Sequence, residues 1–443
     1  ASVNKALAFL VLPVFISGCR LVAVAADQPA PFIEVVVDST TVVADSSEPA
    51  QFVAPDPVRT FDEVRALWVV RFTMTSKEAI LGMIVEAERS GINTLVIQVR
   101  GRADAFYKSS LEPRGESVRE PASFDPLEFA IGEAHDRGIA VHAWVNTHLV
   151  WGPAQLPQSP DHIVNAHPEW LSVPRELGRE LASVDPFESR FVDQLIQYAE
   201  ENSSTVEGVY TSPSHPAVQD HVHAIWMDLA RRYDLDGIHF DYIRFPSDRY
   251  DYSIGAIERF RVWLRGQLTD ERWGKLNQAY ESDLYAFVDG EAELWNQFRR
   301  GHITHLVERI YRDVKAFNPH LTISAAVIAD TELALNDRFQ AWPEWLEQGI
   351  IDIAVPMAYT RDPERFRELV GTARSAVKVR HRVWAGIGAY MNTVEATIGM
   401  IDIARSEEVG GVVLFSYDWL VGEGMSDPTR PFLGRIAEAR FDP

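Results

Sequence analysis

From residue 64 onward, short β-branched or aromatic runs alternate with amphipathic helical stretches, the pattern of a parallel α/β sheet. The candidate strands are VRALWVVRF (64–72), INTLVIQVR (92–100), IAVHAWVN (139–146), DGIHFDY (236–242), LTISAAVI (321–328), IIDIAVPMAY (350–359), RVWAGIGAY (382–390) and GVVLFSY (411–417). Helical periodicity fills the intervals, as in residues 76–91, 124–138, 217–234 and 295–317. Eight strand–helix units without a glycine-rich phosphate turn after the first strand predict a (β/α)8 TIM barrel rather than an open doubly wound sheet. Long connections follow the third strand (147–235) and the fourth (246–320). Loops after strands lie on the catalytic face of such a barrel, so these two are expected to build up a cleft.

Side chains alternate along a strand, which sorts the residues of DGIHFDYIRFP (236–246). Gly237, His239 and Asp241 share one face and Ile238 and Phe240 the other. The small and polar face is expected to line the barrel, with Asp241 at its mouth and Tyr242 and Arg244 just beyond. By the same alternation Arg71 ends the first strand, Gln98 and Arg100 the second, Trp144 and Asn146 the third, Tyr359 the sixth and Tyr417 the eighth, with Asp418 adjacent. Asp330 and Glu332 follow the fifth strand. Each position has a plainer explanation. Asp241 is otherwise a structural acid held by Arg244 or Arg71, His239 a hydrogen-bonding orienter rather than a base, Trp144 a core residue rather than a sugar platform, and Asp330 and Glu332 solvated loop acids.

Composition removes several function classes. A formal net charge of −22 and the lack of a long basic run argue against nucleic acid or an anionic membrane surface as partner. With Cys19 as the one cysteine, these 443 residues form no internal disulfide and no cysteine zinc cluster. No HExxH, Walker-type or GxSxG motif occurs, and the histidines at 135, 142, 148, 162 and 167 lack a metal-ligand spacing. No metal or cofactor is expected, which disfavours a metal-dependent hydrolase or deacetylase.

Ahead of the barrel, ALAFLVLPVFISG (6–18) follows Lys5, too short for an ordinary membrane-spanning helix and suited to a signal-peptide core. It runs into Ile16-Ser17-Gly18-Cys19, similar to the lipobox of bacterial lipoproteins, where the cysteine carries the lipid. Cleavage after Ala23-Val24-Ala25-Ala26 is the alternative and would release a soluble protein. The domain reading is a signal segment with lipobox at 1–26, a flexible Pro/Ser/Thr-rich linker at 27–60 and a barrel domain at 61–443. Export and a lipid-anchored place in the cell envelope follow, with membrane attachment only through that anchor.

Several stretches carry a family resemblance: RALWV near 65, QVRGRADAFYKSSLEP (98–113), DPLEFAIGEAHDRGIAVHAWVN (125–146), HPEW (167–170), DLDGIHFDYIRFP (234–246) and GIIDIAVPMAY (349–359). From about 62 to 425 the chain resembles the glycosyl-hydrolase-like family 10, bacterial (β/α)8 proteins, many of them lipoproteins, placed among glycosidases acting on peptidoglycan glycan. The resemblance implies a retaining or inverting hydrolase of a polysaccharide, led by the acid that ends the fourth strand, Asp241. Many members carry two adjacent acids there, whereas Tyr242 follows Asp241 in this chain. Glycoside cleavage uses two carboxyl groups, one to protonate the leaving oxygen and one as nucleophile or base. Asp241 is expected in the second role and Glu332 or Asp330 in the first. Arg71, Arg100 and Arg244 could keep Asp241 ionised while binding sugar hydroxyls or a substrate carboxylate. A lipid-anchored glycan-binding protein without turnover is the alternative.

Overall fold

The computed structural model describes residues 61–152, 155–422 and 432–441. The expected signal segment with Cys19 and the linker at 27–60 lie outside the described residues. In chain order the strands are β1 (Val64–Val69), β2 (Thr94–Arg100), β3 (Ala140–Asn146), β4 (Leu149–Trp151), β5 (Val209–Tyr210), β6 (Gly237–Asp241), β7 (Thr322–Ile328), β8 (Ile353–Met357), β9 (Trp384–Gly388) and β10 (Gly411–Phe415). Eight of them close a parallel barrel in the order β1-β10-β9-β8-β7-β6-β3-β2, while β4 and β5 form a separate antiparallel ribbon. The protein is a (β/α)8 barrel, and each expected strand is present.

Helices follow the barrel strands with start signals the sequence carries. Asp125 accepts hydrogen bonds from the backbone N–H groups of Leu127 and Glu128, and Pro126 opens the helix Pro126–His135 where a missing N–H costs nothing. Ser76 and Thr393 cap Lys77–Arg89 and Val394–Ser406 in the same manner. The outward strand residues, such as Leu67, Ile97, Val145, Ile238, Phe240 and Leu414, are buried against these helices in one continuous core. The inward residues Ala66, Trp68, Val96, Trp144, Ala326, Val355 and Val413 pack into a second cluster that fills the barrel. Gly386 makes room there: a Cβ on it would stand 2.9 Å from the Trp68 ring.

The two long connections fold into side structures with their own cores. Between β3 and the helix Pro216–Arg232, the β4–β5 ribbon and the helices Ile163–Ala166, Arg175–Leu181 and Ser189–Glu201 surround Val150, Leu171, Phe191 and Leu195. After β6, the helices Ile254–Leu264, Asp270–Tyr280 and Ala286–Gly290 gather on Phe260, Trp295 and Phe298 at the start of the 26-residue helix Ala292–Phe317. The first connection places β4 and the residues just before β5 at the barrel mouth.

Candidate active site

A cavity of about 460 Å³ opens at the C-terminal ends of the barrel strands. Its floor is aromatic. Trp68, Trp144, Tyr359 and Phe415 line it, with ring centroids 6.3 Å apart for Trp68 and Tyr359, 6.1 Å for Trp68 and Phe415, 6.4 Å for Trp144 and Phe415, and 5.8 Å for Tyr359 and Phe415. The first three pairs meet edge to face and the last is tilted at 32°, contacts that hold the rings and leave faces for the apolar side of a sugar.

Buried polar groups fix that floor from below. Trp68 Nε1 donates to His239 Nε2 at 3.2 Å, so the proton of the neutral imidazole stands on Nδ1, 2.8 Å from Ser324 Oγ. Burial, and then the neighbouring His142, push His239 down to about 3. With both nitrogens engaged and the ring neutral, His239 orients Trp68 and does not line the cavity. Trp144 Nε1 donates to Asn146 Oδ1 at 2.8 Å, and Asn146 Nδ2 donates to the Gly101 carbonyl at 2.7 Å.

Asp241 ends β6 at the cavity wall, almost wholly buried. Its Oδ1 accepts from the Tyr242 backbone N–H at 2.7 Å and from Arg244 Nη1 at 3.2 Å. Among the described residues, Oδ2 has no protein partner. Burial raises the pKa of this carboxyl, against the opposing pull of Arg244. Tyr242 turns the chain out of the strand in the left-handed region, with φ 49°, a conformation that costs a bulky residue energy and recurs at functional sites. Arg244 lies over the Tyr242 ring, 4.3 Å from its centroid.

A second carboxylate meets the first on the same arginine. Arg244 Nη2 lies 3.5 Å from Glu207 Oε1, while Glu207 Oε2 accepts from Tyr210 Oη at 2.7 Å. Because one guanidinium contacts both acids, their nearest oxygens lie within the roughly 9.5 Å that separates the two acids at the wide end of glycoside hydrolysis. Burial disfavours ionised Glu207, but Arg244 and the Tyr210 hydroxyl outweigh it and hold its pKa below the usual carboxylate value. One acid is pushed up and the other down, the arrangement that divides proton donor from anion.

The expected site residues therefore part company. Arg71, Gln98, Trp144, Asn146, Asp241, Tyr242, Arg244 and Tyr359 line one cavity. Arg100 does not: the register shifts between Gln98 and Arg100, breaking the alternation, and the guanidinium is buried in a two-pronged pair with Glu112, Nε to Oε2 at 2.8 Å and Nη2 to Oε1 at 2.5 Å. Its Nη1 donates to the Thr147 carbonyl at 3.0 Å and to that of Asn146, so it braces the end of β3. Tyr417 falls in the outer core because the chain leaves β10 after Phe415 and enters the helix Tyr417–Val421. Asp418 accepts from Val70 N at 2.9 Å and Thr73 Oγ1 at 2.5 Å, anchoring the segment that carries Arg71. Asp241 pairs with Arg244 and not with Arg71, whose backbone N and Nη1 both donate to Gln98 Oε1 at 3.2 Å.

Neither acid expected as proton donor reaches the cavity. Asp330 caps the helix Thr331–Asn336 through Leu333 N at 3.1 Å and pairs with Arg365 at 2.9 Å. Glu332 sits in that helix and accepts from Asn336 Nδ2 at 3.1 Å. Residues not anticipated include Trp68, Phe415, Arg102 and Glu207. Alternation in RALWV and GVVLF marks the first two. Nothing local marks Glu207, which precedes a two-residue strand inside a long connection. Among the described residues, no group of three or more His, Cys, Asp or Glu could hold a metal ion.

A closed parallel barrel with two acids and an aromatic floor at its mouth is the architecture of the glycoside-hydrolase barrels. The family model Glycosyl hydrolase-like 10 matches residues 63–390, and the chain belongs to that family. It is 24% identical over 381 residues to Glycosyl hydrolase DigH of Escherichia coli strain K12, covering 78% of this chain and 76% of that protein. To Glycosyl hydrolase YngK of Bacillus subtilis strain 168 it is 23% identical over 331 residues, 67% of this chain and 54% of that protein. In fold it is similar to the PgaB (BpsB) glycoside hydrolase domain from Bordetella bronchiseptica, with TM-score 0.57 and 14% identity over 86% of this chain and 98% of that one. The catalytic domain of beta-amylase from Paenibacillus polymyxa gives TM-score 0.56 at 10% identity, with the same coverage of 86% and 98%.

Proposed function

We propose that the protein hydrolyses O-glycosidic bonds of a bacterial cell-wall polysaccharide, the glycan strands of peptidoglycan, with Asp241 and Glu207 as the catalytic pair. The observation that carries this reading is the shared arginine, which gathers two carboxyl groups of opposite pKa tendency over an aromatic floor. Asp241, raised by burial and with Oδ2 free, protonates the leaving glycosidic oxygen. Glu207, kept ionised by Arg244 and Tyr210, attacks the anomeric carbon or takes a proton from the attacking water. This exchanges the part expected of Asp241 from sequence and moves the second acid from Asp330 or Glu332 to Glu207.

The choice of peptidoglycan rests on the family resemblance together with the lipobox-like ISGC, which supports an exported protein anchored in the cell envelope through lipid on Cys19. The rival reading, a glycan-binding barrel without turnover, drew on Tyr242 standing where many relatives have a second acid. Glu207 answers that objection from a different part of the chain. Release of new reducing ends from purified glycan strands tests the proposal; binding without release supports the rival.

A further inference from the structure

Arg244 contacts both acids of the cavity, and two more arginines line it. Among the described residues the Arg102 guanidinium has neither hydrogen bond nor ion pair, and the Arg71 guanidinium donates to Gln98 Oε1 alone, which the Arg71 backbone N–H also reaches. Asp104 accepts from the backbone N–H of Arg102 at 2.8 Å, and among the described residues it forms an ion pair with neither guanidinium. Both arginines also line a smaller neighbouring cavity of about 160 Å³, where Arg114 joins them against Asp104 and Glu116 and where Phe72 and Trp151 add apolar surface. They therefore stand on the wall between two adjoining spaces. Asp104 attracts Arg71 electrostatically, but in the larger cavity three arginines, Arg71, Arg102 and Arg244, face two acids, a local reversal of sign in a chain of formal net charge −22.

Their placement is built into the backbone. A Cβ on Gly101 would stand 2.3 Å from Arg71 Cδ, and one on Gly152 would stand 2.3 Å from Arg102 Nη1. Each arginine lies across a glycine that leaves it space, and Arg71 also lies over the Phe72 ring at 4.5 Å. A guanidinium held in place presents a planar fork to an acid, with less ordering left to do on binding.

We infer that Arg71 and Arg102 form an anion site that receives a carboxylate carried by the sugar unit next to the bond being cut. The inference rests on the hydrolase reading only for the word cut; the site would select the same glycan in a protein that binds without turnover. Phe72 and Trp151 supply the apolar surface for that neighbouring sugar. Specificity then comes from the acid group, since hydroxyl contacts and stacking are shared by neutral glycans.

The test uses one pool of cell-wall oligosaccharides with free carboxylates and the same pool after conversion of the carboxylates to neutral methylamides. Binding is measured by calorimetry on the Asp241→Asn protein, so that the outcome does not depend on turnover, and kcat/KM is measured on the unaltered enzyme. The charged pool should bind about 10- to 100-fold tighter, with an advantage that shrinks as salt rises. Arg102→Gln should erase that difference, and Arg102→Lys should keep part of it. Equal binding of the two pools by the Asp241→Asn protein, or an undiminished preference once Arg102→Gln is added to it with the fold kept, overturns the inference. Absence of cleavage with the binding preference intact contradicts the hydrolase reading alone.

Discussion

Asp241 and Arg244 form an ion pair three residues apart, Oδ1 to Nη1 at 3.2 Å, in which both side chains are more than nine-tenths buried. The catalytic and structural readings of Asp241 are thus not exclusive, and the partner groups decide what each substitution costs. In Asp241→Asn, Arg244 keeps Glu207 at 3.5 Å. The loss of stability should stay below about 2 kcal/mol. In Arg244→Met the buried Asp241 loses its cation, which should cost about 3–5 kcal/mol. Denaturant unfolding of the two variants measures both, and equal losses would contradict this division.

Asp330 and Glu332 should be dispensable for chemistry. Asp330→Ala removes a helix cap and should lower stability by about 1 kcal/mol. Glu332→Gln should leave both stability and turnover near normal. A hundredfold loss of kcat in either folded variant would return the proton donor to this loop.

Acid should destabilise the fold early. Burial depresses His142 to about 4, His148 to about 3 and His239 to about 3, in the last two helped by nearby positive or ionisable neighbours and in the first opposed by Asp236. Above pH 6.5 these histidines are neutral in both states and cost nothing. As pH falls below 6.5, the unfolded chain takes up protons that the folded one refuses, so stability drops at about 1.4 kcal/mol per pH unit for each histidine, down to about pH 4 for His142 and about pH 3 for the other two. Glu112, held at about 2 by Arg100 and His221 although its burial opposes this, adds a further loss below pH 4.5. Melting temperatures across this range check the slope; a flat profile from pH 6.5 to 4.5 would contradict the burial of these rings.

The anchor is tested by Cys19→Ser, which should move the protein from the membrane fraction to the soluble one or block its processing. A wholly soluble unaltered protein with its N-terminus near Asp27 would discard the lipid and leave the barrel argument untouched.

The barrel is legible because each strand announces itself by a hydrophobic run and helical periodicity fills the intervals between strands. The inward set at the mouth followed from alternation as long as the strand stayed regular, which is why Gln98, Trp144, Asn146 and Asp241 fell into place. It fails at Arg100, where a register shift breaks the alternation and Glu112 takes the guanidinium, and at Tyr417, where the strand has already ended. Asp330 looked like a mouth residue until its carboxylate took up the helix N-terminus beside it. Glu207 was out of reach, since a tertiary fold of the long connection brings it to Arg244 from 37 residues away.

The most direct measurement is release of reducing ends from peptidoglycan glycan by Glu207→Gln beside the unaltered enzyme, with melting temperatures taken on the same preparations. If Glu207 is the ionised partner of Asp241, the variant should melt within a few degrees of the unaltered protein and lose about 10²-fold or more in kcat. A folded Glu207→Gln protein that releases reducing ends at the normal rate would contradict the two-carboxylate site.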